Sequence, residues 1–171
     1  MRTLSILIVA AISLSACNKP KLVEFSYDLS NVPLKLEAPV TPGPNSFQAE
    51  VTLNLDELFQ TNKADRSKIK DVTIENMELS MLSNRNFNNF ENIVVNFFSD
   101  KNNMTKLASL SPVLKESTVL KPVATEKADI HKYFSENTLF IIIDANISEM
   151  DTIGYEMTMN MKLKFSAAEK K

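Results

Sequence analysis

The amino-acid sequence predicts an all-β chain folded as an antiparallel β-sandwich with two short crossover helices. Three observations carry that expectation. Apolar Tyr155, Met157, Met159, Met161, Leu163 and Phe165 alternate with polar Glu156, Thr158, Asn160, Lys162 and Lys164, the period of a strand with one buried face. Shorter stretches repeat the pattern between turn-forming residues, giving seven to nine strands. Only two segments carry helical i, i+3, i+4 spacing, and both are short.

Taken in order, Val23, Phe25, Tyr27 and Leu29 alternate with polar neighbours and begin the first strand. Pro33, Pro39, Pro42 and Pro44 follow, which forbids a central strand there but allows an edge strand or a crossing between sheets. Phe47, Ala49, Val51 and Leu53 alternate again, and Leu55, Leu58 and Phe59 predict a helical turn or two. Val72 and Ile74 keep one phase while Met77, Leu79 and Met81 keep the other, so a bulge is expected near Glu75-Asn76.

Ile93 to Phe98 is apolar enough for a central strand, and Asp100 to Asn103 reads as a turn into Met104 to Ser111. Thr118 to Val123 is a short strand. Ile130, Tyr133 and Phe134 predict the second helix, with Asp129 as its N-cap. Leu139 to Ile143 is apolar on both faces, and the strand from Tyr155 closes the domain.

The N-terminus carries a different signal. Arg2 is followed by an apolar run, Leu4 to Leu14, the length of a signal-peptide core and short of the roughly 20 residues that a spanning helix needs. It ends in Leu14-Ser15-Ala16-Cys17, which resembles the bacterial lipobox. That resemblance implies cleavage between Ala16 and Cys17 and diacylation of the Cys17 thiol. Cys17 is the only cysteine, so no intramolecular disulfide competes for it. Two or three acyl chains hold a protein firmly on a bilayer where one does not. Asn18, in place of an aspartate retention signal, favours the outer membrane, with the periplasmic or surface face open. The domain organisation expected is signal peptide 1–16, lipidated tether 17–21, sandwich 22–166 and charged tail 167–171.

The order of a long strand after Val72, the Asn-Phe-rich turn Asn86-Phe87-Asn88-Asn89-Phe90, a strand from Ile93, a short helix at Asp129 to Phe134 and two closing strands is similar to uncharacterised β-sandwich lipoproteins of Bacteroidetes. The likeness covers most of residues 45–166. It implies an immunoglobulin-like or late-embryogenesis-abundant-like sandwich and no catalytic residues.

Composition excludes several functions. Loss of Arg2 with the signal leaves 18 basic residues (19 less one) against 21 acidic, net −3, interspersed without a basic run. Nucleic-acid binding and anionic-lipid capture therefore have no electrostatic support. With two glycines, Gly43 and Gly154, no phosphate-cradling loop is available. No cofactor is expected.

Candidate functional residues each have a plainer structural role. His131, the sole histidine, has no nucleophile or ligand partner at suitable spacing and is expected as an exposed helix residue. Met157, Met159 and Met161 suit a soft metal but continue an apolar face, so core packing is expected, with Met77 and Met81 in the same interior. Phe87 and Phe90 are candidate ligand contacts; as large loop aromatics they are expected to plug the end of the sandwich. Asp100, Asn102 and Asn103 lack the pattern of a calcium loop, and Asp56, Glu57 and Asp65 are scattered. Without tryptophan, a sugar-cleaving cleft is disfavoured. Asp151-Thr152-Ile153 resembles the Bacteroidetes O-glycosylation motif, with Thr152 the acceptor in an exposed hairpin loop.

The function expected is a membrane-anchored envelope module, without enzymatic activity, that binds a protein, glycan or small apolar ligand or serves an outer-membrane complex. A fimbria-like assembly subunit is the alternative, and an envelope hydrolase the third class.

Overall fold

The computed structural model describes residues 20–170, so Ala16, Cys17 and the signal segment lie outside the described residues. Nine strands and one α-helix are present among them: β1 (Leu22–Leu36), β2 (Gly43–Thr52), α1 (Leu55–Thr61), β3 (Ala64–Met81), β4 (Phe90–Phe98), β5 (Thr105–Leu110), β6 (Val119–Leu120), β7 (Val123–Ala124), β8 (Thr138–Ile147) and β9 (Tyr155–Glu169). A 3-10 helix, His131–Ser135, precedes β8.

The strands form two antiparallel sheets, ordered β1-β9-β3-β6 and β2-β8-β4-β5-β7. Pairing is nested: β4 with β5, β3 with β6, β2 with β8, and β1 with β9. This is the winding of a double-sheet jelly roll. It corrects the immunoglobulin-like order, in which the last two strands are neighbours in one sheet. Here β8 and β9 belong to opposite sheets. Alternation along each strand reports which face is buried; it carries no information about which strands are neighbours.

β9 sits between β1 and β3, and its six alternating apolar residues are all 2% exposed or less. Met157, Met159 and Met161 stand opposite Met81, Leu79 and Met77 of β3, so the methionine stripe is interior packing. Its outer face carries ion pairs instead: Lys162 with Glu75, Lys164 with Glu24, and Glu156 with Lys35. The expected tail at 167–171 is shortened by this strand. Ala167 and Ala168 are buried within β9, which runs on to Glu169.

Pro33 is tolerated because β1 is an edge strand. The expected bulge in β3 falls between Ile74 and Asn76. The segment from Thr118 to Val123 is not one strand. Val119–Leu120 pairs with β3, whereas Val123–Ala124 pairs with β5 in the other sheet. Pro122, which has no N–H to donate, stands at the switch.

Both short helical segments seal the same end of the sandwich. Phe59 of α1 meets Phe25 and Phe165 edge-on at 5.0 and 5.6 Å. Phe134 meets Phe165 at 4.9 Å, and the buried Tyr133 hydroxyl lies 2.8 Å from Thr105 Oγ1 while donating to the Asn103 carbonyl. α1 crosses between sheets; the 3-10 helix joins β7 to β8 within one sheet. Asp129 does not cap it. The cap residue is Ile130, without a side-chain cap bond.

Candidate functional site

A surface groove of about 570 Å³ runs between Lys70–Ile74 of β3 and the segment Ala124–His131, from the end of β7 onward. Sheet topology creates it. β6 pairs with β3 only at Leu79 and Ser80 before Pro122 carries the chain to the other sheet. Below that point, residues 69–77 of β3 have strand partners, among the described residues, on β9 alone. Lys70–Ile74 is therefore a strand edge with its second side open to the groove.

The groove wall is apolar where it meets the core. Val72 and Ile130 are 1% exposed, and Ile74 and Ala128 are half-buried against the same core. The rim is polar and mixed in sign, with Lys70 and Asp71 on one side and Glu126, Lys127 and Asp129 on the other. Lys127 holds its backbone at φ 57°, the left-handed region, where the segment turns across the sheet edge.

His131 is on this rim, exposed as expected, but it has a partner that its neighbourhood in sequence concealed. Its Nδ1 lies 2.7 Å from Asp129 Oδ1, so the carboxylate orients the imidazole. Among the described residues no serine, threonine or cysteine is hydrogen-bonded to that ring. No group of three or more His, Cys, Asp or Glu is placed to hold a metal among the described residues.

The other candidates separate clearly. Phe87 and Phe90 are 0% and 2% exposed and pack edge-to-face at 5.2 Å, with Phe90 also 4.9 Å from Tyr155. They plug the sandwich, and neither is accessible to a ligand. Asp100 to Asn103 is a turn, in which Asn102 donates from its backbone to Ser99 Oγ and from its side chain to Glu136. Thr152 is exposed. The loop that carries it is not a hairpin, since it joins β8 to β9 across sheets; Asp151 fixes it by pairing with Val40 through two backbone hydrogen bonds of 2.8 and 2.9 Å.

Asp151 itself is occupied. Burial pushes its carboxyl up, but the Arg85 guanidinium and the N–H groups of Ile153 and Gly154 outweigh that and hold it at about 2. Arg85 also stands 4.3 Å above the Tyr155 ring.

Sequence reasoning missed Arg66. Its guanidinium donates to the Phe134 and Glu136 carbonyls at 3.0 and 2.7 Å and to Asp56 and Asn137 at 2.7 and 2.8 Å. It borders a second depression, about 530 Å³, shared with Glu50, Asp100 and Lys101. With its donors committed to the protein, Arg66 is a brace between α1, β3 and the start of β8.

No protein-family model and no curated protein matches the chain. A solved structure from Desmodium yellow mottle tymovirus is similar at 8% sequence identity and a TM-score of 0.30, over 98% of this chain and 97% of that one. A likeness at that score carries nothing about fold or function. No helix among the described residues is long and apolar enough to cross a membrane.

Proposed function

We propose that the chain is a lipid-anchored lipoprotein of the cell envelope, of the Bacteroidetes type, whose sandwich is a non-enzymatic binding or accessory module of an outer-membrane complex. The observation that carries the binding half is the groove beside β3, with an apolar wall, a rim of mixed charge and an open strand edge. Such a surface suits recognition better than catalysis, because His131 has an orienting carboxylate but no nucleophile to activate.

The anchoring half rests on Leu14-Ser15-Ala16-Cys17 and on the start of β1 at Leu22. Asn18 to Lys21 reach about 15 Å at full extension, so the sandwich rides close to the bilayer and favours partners at the membrane. The polar wrapping of Asp151 and the exposure of Thr152 support Thr152 as an O-glycan acceptor in a Bacteroidetes host.

The test is isolation of the full-length protein from its own membranes by a C-terminal tag, with partners identified before and after enzymatic removal of the peptidoglycan. Specific co-isolation of an outer-membrane complex supports the reading; an enzymatic turnover by the isolated protein, or recovery without any partner after cross-linking, overturns it. A second reading, a subunit assembled by strand donation, is favoured by the same open edge of β3. It predicts ladders of the chain on a sizing column where the first predicts a monomer or a hetero-complex.

A further inference from the structure

We propose that the groove beside β3 takes an extended peptide from a partner protein, added to the sheet as a strand in the lane that β6 leaves empty. This rests on the binding-module reading and names the class of its partner. The β3–β6 ladder stops after Leu79, and the lane beyond it, along Lys70–Ile74, continues that ladder without an occupant among the described residues. Five residues of strand span about 17 Å, enough for three or four main-chain hydrogen bonds and two side-chain positions on each face.

The chemistry of the lane defines the ligand. A strand laid along β3 in the antiparallel sense presents alternate residues to Ile74 and Ala128, which are apolar and half-buried, and the intervening ones to Asp71 and Thr73, which are exposed. The peptide is therefore extended, apolar at every second position and polar between. Mixed charge on the rim selects against a strongly acidic or strongly basic segment. A second copy of this chain is the poorer donor, because all nine strands of the described residues are already paired in the two sheets. Donation would require a folded copy to surrender one.

The segment that faces the lane also carries features that oppose pairing with a whole sheet. Glu126, Lys127 and Asp129 stand across it, and Lys68 and Lys70 lie on β3 itself, which are devices that block edge-to-edge association while admitting a single chain.

The probe is a phage-displayed library of random linear peptides, selected on the detergent-solubilised full-length protein and counter-selected on an unrelated β-sandwich. The enriched peptides are expected to alternate apolar and polar residues. As synthetic peptides they should slow backbone amide exchange within Lys70–Ile74 by about tenfold or more. Ala128→Arg, which places a charge on the apolar wall, should weaken their binding at least about tenfold. Should that variant unfold, the exchange measurement on the unsubstituted protein decides alone. Peptides that protect amides elsewhere overturn the lane but leave a binding module. Absence of enrichment overturns the lane, while the module reading stands or falls on the membrane co-isolation. Protection of residues 70–74 in a homodimer without peptide assigns the lane to a second copy and overturns the partner.

Discussion

Arg85 and Asp151 are 66 residues apart in sequence and form a two-pronged ion pair, which ties the loop before β4 to the loop before β9. The pair lies at the end of the sandwich opposite α1, and its carboxylate also accepts the N–H groups of Ile153 and Gly154, each at 2.9 Å. One side chain thus organises the whole turn around Thr152.

A carboxyl held at about 2, below its ordinary 3.8, makes stability depend on pH in a definite direction. The contribution is fully present above pH 4 and is lost as pH falls through about 2, worth roughly 1–2 kcal/mol. Asp151→Asn should lower stability at neutral pH and flatten the acid limb between pH 4 and 2. Urea melts across that range in both proteins check it; parallel acid limbs would show that Asp151 is not a source of the dependence.

Gly154 adopts φ +86°, and a Cβ there would stand 2.5 Å from the Leu36 carbonyl oxygen, which is backbone and cannot rotate away. Gly154→Ala should cost at least about 2 kcal/mol through combined strain and displacement of β1. Gly43→Ala is the control, because Gly43 also has positive φ but open space around its Cβ position, and about 1 kcal/mol is expected there. Equal losses in chemical denaturation would remove the contact with Leu36 as the cause.

Met159 is fully buried opposite Leu79. Met159→Ala should cost about 2–5 kcal/mol by leaving a cavity, whereas Met159→Leu should stay within about 1.5 kcal/mol. A metal role for the stripe predicts something else, namely copper(I) binding abolished by the leucine variant with stability unchanged.

Arg66→Ala leaves the Phe134 and Glu136 carbonyls and the Asp56 carboxylate without their shared donor. Loss of about 2–3 kcal/mol is expected. Arg66→Lys should recover only part, since an ammonium cannot span the same set of acceptors. Thermal melts of the two variants test this.

Cys17→Ala should release a folded protein into the soluble fraction, with an unchanged far-ultraviolet circular dichroism spectrum. A variant that stays with the membrane would remove the lipid as the anchor.

Much of the secondary structure was legible. β9 was readable residue by residue, because a strand buried on one face writes its period into the sequence, and the β3 bulge was readable as a phase change at Glu75-Asn76. Strand order was not. Leu22 pairs with Ala168 and Thr52 with Thr138, and nothing local to either partner encodes the other. The candidate groove was hidden for the same reason. Its open edge exists only because β6 leaves the sheet at Pro122, and one proline among seven gives no sign of changing sheets. Asp129 beside His131 was visible but read as a helix cap, since both roles put an acid before a short helix.

The nested pairing of β1 with β9 has a consequence for the life of the chain before it is folded. Among the described residues β1 has its sheet partner in β9, the last of the nine strands, so β1 stays unpaired until β9 has been made. Contacts this distant in sequence form slowly. An enzyme acting near Leu22 in that interval meets an unpaired segment, and the lipid attachment proposed for Cys17 would find its substrate equally open then. During that interval the alternating apolar residues of β1 lack the partner that buries them, which leaves the segment open to non-native association.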